Sequence, residues 1–349
     1  FEVEITRAHI PFEHIPFAGL TPDSVLYIRL YDFDPGASDD LRAALDSLLG
    51  DDRPRPKGII LDLSGNPGGL FLEAYETADL FLEGGKFLVG TNGRSFWHDQ
   101  QFYSTGEDLT GGLPMAVIVD RGSASSAEIV SGALQQNGRA VLIGDTTFGK
   151  GLVQGFVRFP DGDGLKLTIS RYYFEGGVYL NDFDSMLHDT GHGLVPDHYF
   201  DMRRISPFQR TLENKLLLRQ FVGLHLDSII DNIENDRLDR RWLDSLAAYA
   251  AREEFVYISP RTELAGELVR MAKLEECSPK TKRLADRIER LSRHNDLGEI
   301  YQNQEYIMRR LKQIAYENKY GVFHAYREVL IRTRPEIAFA ARILLGEER

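Results

Sequence analysis

The sequence is short of cysteine, of long apolar runs and of positive charge. Its single cysteine, Cys277, excludes an internal disulfide and leaves the redox compartment undetermined. No apolar run reaches the roughly 18 residues that a membrane-spanning helix requires. The net charge of -12 is opposite in sign to the basic surfaces that bind nucleic acid, so we expect no nucleic-acid partner. The 42% hydrophobic and 27% charged content is ordinary for a soluble globular protein.

The N-terminus also lacks two features of a complete precursor. FEVEITRAHI, residues 1–10, has no initiator methionine and no signal-peptide order of basic, apolar and small residues. It alternates like a β-strand without its partners. We therefore interpret the chain as a fragment of a longer protein, so that the missing signal says nothing about location.

The two halves of the sequence differ in their periodicity. Up to about residue 200, β-branched runs alternate with helical patterns, which predicts a covered α/β sheet whose strand order the pattern does not reveal. The predicted strands are 25–33, 58–64, 114–120, 140–145 and 165–174, and the predicted helices are 38–49, 70–82 and 127–136. Beyond about residue 205 only helical spacing remains. The composition shift near Asp201–Pro207 predicts an α/β domain over 20–204 and an all-α helical domain over 205–349.

The segment GDTTFGKG, residues 144–151, matches the glycine and lysine spacing of a phosphate-binding loop. Two observations count against nucleotide binding. Gly151 replaces the serine or threonine that would bind magnesium, and the next residues, LVQGFVRFP, alternate like a strand where the motif requires a helix N-terminus. We therefore expect no nucleotide partner.

His188, His192 and His198 lie near carboxylates in the segment LHDTGHGLVPDHYF. Imidazoles four residues apart share a metal ion when they lie on one helix face, but the glycines and the proline of this segment break any helix. We interpret the segment as a loop with exposed histidines and expect no metal and no cofactor. A Ser-His-Asp triad stays open as an alternative, although the serines near residue 125 are not in a G-x-S-x-G turn.

The segment VDRGSASSAEI, residues 119–129, places three serines where a strand is followed by a helix. Ser125 and Glu128 have the spacing of a capping box, which satisfies free N–H groups at a helix N-terminus. A serine at this place is equally suited to act as a nucleophile. These residues alone leave both interpretations open.

Two glycine-rich turns carry the other candidate residues. Lys150 lies between Gly149 and Gly151 after an apolar strand, where it is either a surface residue of a turn or a general base. A lysine acts as a base in its neutral form, which burial favours. In DLSGNPGGL, residues 62–70, tandem glycines before a helix form either an ordinary turn or a source of N–H groups for a developing negative charge.

Together these segments resemble the C-terminal processing proteases, also called tail-specific proteases. The resemblance runs in order from about residue 20 to 200, through LDLSGNPGGL, DRGSASSAEI, GDTTFGKGLVQ and GHGLVPD, and implies a crotonase-like (ClpP-like) α/β protease core. It implies that Ser125 is the nucleophile, that Lys150, twenty-five residues later, is the general base, and that Gln154 helps to hold the lysine. It also implies an oxyanion hole formed by the backbone N–H groups of Gly69 and Ser126.

The function implied by the resemblance is that of a serine endopeptidase. Such an enzyme is expected to cleave unfolded or C-terminal regions of proteins through an acyl-enzyme, with a polypeptide as substrate. The alternative is a catalytically silent binding protein on the same crotonase-like fold. Retention of Ser125, Lys150 and Gln154 together favours the enzyme.

Four positions depart from the family's pattern. Ser126 follows the nucleophile where alanine is usual, and we expect little effect because its implied role is through the backbone. Ser64 and Gly65 replace the usual Arg-Asn pair, which removes a charge near the oxyanion turn. Gln136 stands where some relatives carry an aspartate, which disfavours an aspartate-assisted mechanism.

Three further expectations accompany the resemblance, and that of a homodimer rests on the apolar face that an amphipathic helical array often leaves for a partner. The family usually carries a PDZ domain that captures a substrate's C-terminus as an added strand, and residues 1–19 resemble the end of that domain and its linker. Most of the PDZ module is therefore expected to be missing from this chain. The helical domain resembles a bacterial extension and is expected to support a homodimer. The resemblance implies a periplasmic or otherwise extracytoplasmic location in a bacterium.

Overall fold

The computed structural model describes residues 13–50, 53–180, 193–202, 205–274, 278–292 and 298–348. These residues form two compact units, one drawn from Phe1–Met202 together with Arg334–Arg349 and the other from Arg203–Thr333. The sequence pattern placed residues 334–349 in the helical domain, whereas the structure groups them with the α/β unit. The reason is that helix Pro335–Leu344 packs on strands of the α/β unit.

The strands of the α/β unit are β1 (Phe17–Leu20), β2 (Leu26–Arg29), β3 (Ile59–Asp62), β4 (Phe87–Gly93), β5 (Gln100–Tyr103), β6 (Met115–Val119), β7 (Val141–Gly144), β8 (Leu152–Arg158), β9 (Gly164–Phe174), β10 (Val178–Tyr179) and β11 (His198–Tyr199). Among the described residues, one sheet has the strand order β1-β2-β3-β6-β7-β11. β1 pairs antiparallel with β2, and the other neighbouring strands in this sheet are parallel. This arrangement confirms the predicted α/β class and supplies the strand order.

The second sheet is antiparallel. Its described strands have the order β10-β9-β4-β5, and β8 pairs with the other edge of β9. The predicted strand 165–174 is confirmed as β9. The alternating segment after Gly151 forms β8, as expected for a strand and unlike a phosphate-binding loop. β4 and β5 were not predicted, because their glycine and polar residues weaken the strand pattern.

Three helices of this unit begin near their predicted positions, namely α1 (Ala37–Leu49), α2 (Phe71–Asp79) and α3 (Ser126–Gln136). Each contributes buried apolar side chains to a core shared with the strands. α3 is buried along most of its length and ends before Asn137 and Gly138, where Gly138 has φ +62°. The burial of α3 fixes the orientation of its N-terminus, where the serine cluster lies.

Helix Pro335–Leu344 covers the sheet from the side opposite to that core. Every residue of β3 and β6 is buried, as expected for parallel strands with both faces covered. Side chains such as Ile60 and Ile118 are fully buried but lie outside the main core cluster, because successive side chains in a strand point to opposite faces. Leu344 approaches Gly58 at the start of β3. The helix is thus an integral layer of the α/β unit.

The helical unit has its own apolar core, centred on residues such as Phe221, Leu246 and Ile314. Its longer described helices are Pro207–Asn214, Leu217–Glu234, Arg241–Arg252, Pro260–Leu274, Pro279–Ser292 and Gln304–Tyr320. This confirms the predicted all-α character of the segment. Among the residues described, no helix combines the length and apolarity needed to cross a bilayer.

Candidate active site

Three loops meet at the carboxyl end of the parallel sheet. Residues 63–70 follow β3, residues 120–125 follow β6, and residues 145–151 follow β7. Because these three strands are adjacent and parallel, the loops that leave their carboxyl ends lie side by side. Each loop contains residues that the sequence had marked as candidates.

The turn 63–70 leaves one backbone donor unused. The side-chain oxygen Oδ1 of Asn66 accepts a hydrogen bond from the Gly68 N–H at 2.8 Å. Gly69 forms a parallel bridge with Phe33. In this bridge Phe33 makes its hydrogen bonds to Gly68 and Leu70, the two neighbours of Gly69. Within the part of the chain that the structure describes, the Gly69 N–H therefore has no acceptor. It is available to bind an anionic oxygen.

Gly68 brings this turn against the serine cluster. Its φ of +91° is a left-handed conformation that favours glycine. A Cβ atom at this position would lie 2.7 Å from the Ala124 carbonyl oxygen, 2.8 Å from the Ser125 Cβ atom and 2.9 Å from the Ser126 nitrogen. Only glycine permits this approach of the two backbones.

Ser125 lies at the N-terminus of α3 in an unusual conformation. Its φ of 57° and ψ of -114° are rarely adopted by non-glycine residues, and such conformations occur preferentially at functional sites. The predicted capping box is confirmed: the Ser125 N–H donates to Glu128 Oε2 at 2.8 Å. The Ser125 carbonyl oxygen accepts from the Glu128 N–H, also at 2.8 Å. Capping does not exclude a chemical role, because Ser125 also lines the cleft described below.

Ser126 is the first residue of α3. Its N–H has no acceptor among the described residues, as is usual for the first turn of a helix. Its hydroxyl donates to the carbonyl oxygens of Gly69 and Leu70, at 3.1 and 3.2 Å. The side chain therefore contributes a contact that the sequence, which assigned a role to the backbone alone, did not predict.

Glu128 joins the serine loop to the lysine loop. Besides the Ser125 N–H, its carboxylate accepts from the Lys150 N–H at 2.8 Å, the Gly149 N–H at 2.7 Å and the Thr147 hydroxyl at 2.6 Å. Burial raises the pKa of Glu128, and these four hydrogen bonds oppose that shift by favouring the carboxylate. The sequence marked Glu128 as a capping residue and missed its contacts with the loop that follows β7.

Tyr172 on β9 makes a second connection between the two loops. Its hydroxyl lies 2.5 Å from the Lys150 carbonyl oxygen and 3.3 Å from that of Ser125. Burial, with a smaller effect of the Glu128 carboxylate, raises the pKa of Tyr172 well above its ordinary value. The hydroxyl therefore stays protonated and can donate a hydrogen bond to these carbonyl oxygens. Sequence reasoning predicted the strand of Tyr172 but no role at the site.

The cleft formed by these loops has a volume of about 280 Å³. It brings together the five residues that the resemblance implied, Gly69, Ser125, Ser126, Lys150 and Gln154. The other lining residues are Leu70, Phe71, Ile129, Leu152, Val153, Lys166 and Tyr172. No hydrogen bond joins the Lys150 and Gln154 side chains in the described structure, so the holding role of Gln154 stays a prediction.

The cleft wall combines apolar side chains with polar groups, among them two lysines. Lys150 and Lys166 line it, and none of its lining residues is an aspartate or glutamate. Within the described ranges, no group of three or more His, Cys, Asp or Glu side chains lies together as metal ligands would. His198 lies in β11, whereas His188 and His192 lie outside the described residues.

Gln136 has a structural place of its own. Its side-chain Nε2 donates to the carbonyl oxygens of Phe87 and Leu88, at 2.8 and 2.9 Å, and its Oε1 accepts from the Glu175 N–H at 2.8 Å. These bonds attach the end of α3 to the antiparallel sheet. The amide thus stabilises the position of α3 from the end opposite to Ser125.

Comparison with known proteins agrees with this geometry. Residues 24–186 match the model of peptidase family S41. These residues form a peptidase family S41 domain. The motif resemblance is thereby confirmed at the level of the family, and the three loops of the cleft all lie within the S41 domain.

The chain is similar to several proteins named as carboxyl-terminal-processing proteases. It is 37% identical over 150 residues to a carboxyl-terminal-processing protease of Picosynechococcus sp., covering 43% of this chain and 35% of that protein. It is 37% identical over 172 residues to a carboxy-terminal-processing protease of Bartonella bacilliformis, covering 49% and 37%. The solved photosystem II D1 C-terminal processing protease is 28% identical, with 56% of this chain and 50% of that chain covered and a TM-score of 0.45. The chain spans little more than a third of the length of the two curated relatives.

Proposed function

We propose that this chain is the protease part of a serine endopeptidase that cleaves unfolded or C-terminal regions of proteins. Two findings support the proposal. Residues 24–186 form an S41 domain, and the relatives in Picosynechococcus and Bartonella are named as processing proteases that act at the carboxyl terminus. The substrate is a polypeptide, and the proposed steps use groups of the chain itself and water.

One observation carries the proposal. Ser125 and Lys150 line one cleft together with Gly69 and Ser126, whose backbone N–H groups lack acceptors among the described residues. Acyl transfer from a peptide requires a nucleophile, a base and donors for the oxyanion. The cleft holds a candidate for each.

In the first step, Ser125 Oγ attacks the carbonyl carbon of the substrate while neutral Lys150 Nζ takes the hydroxyl proton. The substrate oxygen becomes an oxyanion, which the N–H groups of Gly69 and Ser126 stabilise. When the tetrahedral intermediate collapses, the peptide C–N bond breaks and the protonated lysine gives its proton to the leaving amine. Ser125 is left acylated.

In the second step, Lys150 takes a proton from water, and the resulting hydroxide attacks the acyl carbonyl carbon. Collapse of the second tetrahedral intermediate breaks the bond to Ser125 Oγ, which regains its proton from the lysine. We assign to Gln154 the role of holding Lys150 in the orientation that serves both steps. Its place in the same cleft supports that assignment.

The cleft also supports an extended substrate. Part of its wall is apolar and is formed by Leu70, Phe71, Ile129, Leu152 and Val153. Its volume of about 280 Å³ is that of a few side chains. A polypeptide must expose apolar side chains to contact this part of the wall. Unfolded segments and chain ends do so, whereas the apolar residues of folded domains are buried.

The test is hydrolysis of unfolded casein by the protein, measured from about pH 6 to pH 10. Ser125→Ala and Lys150→Ala should each abolish cleavage. Lys86→Ala, which removes an exposed lysine that does not line the cleft, is the matched control and should retain it.

A second readout identifies the nucleophile directly. Acid quenching during turnover of an activated ester substrate should trap an acyl group, and mass spectrometry should locate it on the peptide that contains Ser125. Cleavage that survives Ser125→Ala would refute the assignment of the nucleophile. Binding of casein without cleavage by any version would instead favour the silent binding protein on the same fold.

A further inference from the structure

A buried carboxylate at the end of β3 binds two arginines from distant parts of the chain. Asp62 is fully buried. Its Oδ1 accepts from Arg29 Nη1 at 2.6 Å, and its Oδ2 accepts from Arg334 Nη1 at 3.0 Å and from the Tyr27 hydroxyl at 2.6 Å. Burial alone would raise the pKa of Asp62, but the two guanidinium groups outweigh it and hold the pKa well below its usual range.

The same cluster holds Ser64, two residues further along the chain. Asp62 Oδ1 accepts from the Ser64 N–H at 2.9 Å and from its hydroxyl at 2.6 Å. Arg29 donates to Ser64 Oγ at 2.7 Å and also to the Ser64 carbonyl oxygen. Arg334 Nη2 donates to Ser64 Oγ at 3.4 Å. One hydroxyl thus donates once and accepts twice, which uses its full capacity.

Ser64 lies near the start of the turn that carries the proposed oxyanion donor. The next residue, Gly65, donates its N–H to Asp120 Oδ1 at 2.6 Å, and the turn continues to Gly68, which packs against Ser125. Four residues separate Ser64 from Gly69, so we expect a shift at Ser64 to be transmitted along the turn to the Gly69 N–H. The position of the donor therefore depends on the charge cluster below it.

Arg334 is itself held in place from both sides. It immediately precedes helix Pro335–Leu344, which packs on β3 and β6. Its Nε donates to Glu336 Oε1 at 2.6 Å, and its side chain is 17% exposed. The guanidinium group is consequently preorganised to meet Asp62 and Ser64, and little entropy is lost in making these bonds.

We propose that Arg334 is a positioning residue of the protease unit, which holds the turn 63–70 in the conformation that presents the Gly69 N–H to the substrate oxygen. Residues 334–349 are then part of the working site, although they follow the helical segment in sequence. The catalytic test of this inference rests on the proposed function. The test of the position of the turn does not require that the protein be a protease.

The catalytic test compares Arg334→Met with Arg334→Lys and with Arg342→Gln. Methionine keeps much of the side-chain volume and removes the charge. Arg342 lies on the same helix, pairs with Glu348 and does not reach the turn, so it is the matched control. We expect Arg334→Met to lower kcat by about 10- to 100-fold with KM nearly unchanged, since small misplacements of a donor cost rate. Lysine should restore part of the rate, and Arg342→Gln should leave it unchanged.

The positional test is hydrogen exchange measured by mass spectrometry. In Arg334→Met, peptides covering residues 63–71 should exchange at least tenfold faster, while peptides from β6 should keep their protection. This readout is valid even if the protein proves to have no Ser125-dependent hydrolysis, so a failure of the proposed function is distinguishable from a failure of this inference.

A purely structural role would give a different result. Arg334→Met would then lower the midpoint of thermal unfolding, but the folded protein would keep its kcat within twofold and the exchange of residues 63–71 would not change selectively. That outcome would overturn the proposal. If Arg334→Met does not fold, Arg334→Lys decides alone, because it keeps the charge near Asp62 while removing the second nitrogen that reaches Ser64. An unchanged kcat and unchanged exchange in that variant would equally overturn it.

Discussion

The hydroxyl of Ser126 donates a hydrogen bond to the carbonyl oxygen of Gly69 at 3.1 Å. These two residues carry the two N–H groups proposed to bind the oxyanion, so the bond links the two halves of the oxyanion hole. The resemblance leads one to expect alanine at position 126, which has no such hydroxyl. We therefore expect the spacing of the two donors to be set in part by a side chain that the resemblance does not imply.

Removal of this hydroxyl should therefore slow the reaction. Ser126→Ala loses one hydrogen bond worth about 1 kcal/mol, which corresponds to about a fivefold lower kcat if the bond acts fully on the transition state. KM should change little. Ser131→Ala is the matched control, because Ser131 is a buried serine on the same helix whose hydroxyl has no hydrogen-bond partner in the described structure. Equal kcat values for the two variants would show that the bond does not act on catalysis.

Replacement of Glu128 by glutamine should disconnect the two loops. The Glu128 carboxylate is the acceptor in all four of its hydrogen bonds. A glutamine at this position would place an NH₂ group, which cannot accept, opposite some of these donors. We expect kcat to fall by about 100-fold, because both Ser125 and Lys150 lose an anchor and small displacements of reacting groups are costly.

The control for this variant is Glu213→Gln in the helical unit. Glu213 accepts hydrogen bonds from Arg310 and Tyr306, so its replacement also removes a bonded carboxylate, at a cost of about 1.5 to 3 kcal/mol per charged hydrogen bond. It should lower the free energy of unfolding without lowering kcat. A similar loss of kcat in both variants would mean that Glu128 acts through general stability.

Gly68→Ala should destroy activity by a steric effect. The new methyl group would meet three atoms of residues 124–126 at 2.7 to 2.9 Å, which pushes the turn away from Ser125. Gly85→Ala separates this effect from backbone strain, because Gly85 has a similar φ of +85° and nothing within 4 Å of its Cβ position. The left-handed φ should cost both variants about 1 to 2 kcal/mol of stability, but only Gly68→Ala adds the clash and should lose more than about 100-fold in kcat. Retained activity in Gly68→Ala would refute the close approach of the two loops.

Local pattern was sufficient to locate much of this unit. The β-branched runs predicted β3, β6, β7 and β9, and the apolar periodicity predicted α1 to α3, because side-chain periods of two and 3.6 are properties of adjacent residues. The serine, lysine and glycine segments were recognised from residue order, and the structure places them in one cleft. That placement follows from the adjacency of three parallel strands, which no local pattern encodes.

The contacts that support the site were beyond such reasoning. Glu128 reads as a capping residue in sequence, since the loop that supplies its other donors lies about twenty residues away. Tyr172 reads as one aromatic residue of a strand. Arg334 is separated from Asp62 by 272 residues. It follows a segment with only helical spacing, so the sequence pattern assigned it to the helical domain, whereas the structure groups it with the α/β unit. Each of these bonds depends on the tertiary arrangement of elements that are distant in the chain.

The buried Asp62 makes a prediction about acid stability. Its pKa in the folded protein lies below the ordinary value of 3.8, so the unfolded chain takes up a proton at this position before the folded protein does. The contribution of Asp62 to stability is therefore complete above about pH 5, and it is lost as the pH falls through the ordinary value toward the lowered one. Its size should be about 3 to 5 kcal/mol, because Asp62→Asn leaves two buried guanidinium groups without their shared carboxylate.

Urea unfolding of the wild type and of Asp62→Asn, measured at intervals from neutral pH down to about pH 2.5, should show this dependence. The difference in unfolding free energy should be constant at neutral and mildly acidic pH and should shrink below about pH 4. Asp46→Asn, which changes an exposed aspartate on α1, should show no comparable difference at any pH. If the difference for Asp62→Asn is instead the same at pH 7 and at pH 2.5, the carboxylate does not titrate as a partner of the two arginines. The electrostatic basis assigned to Arg334 would then have to be replaced by packing alone.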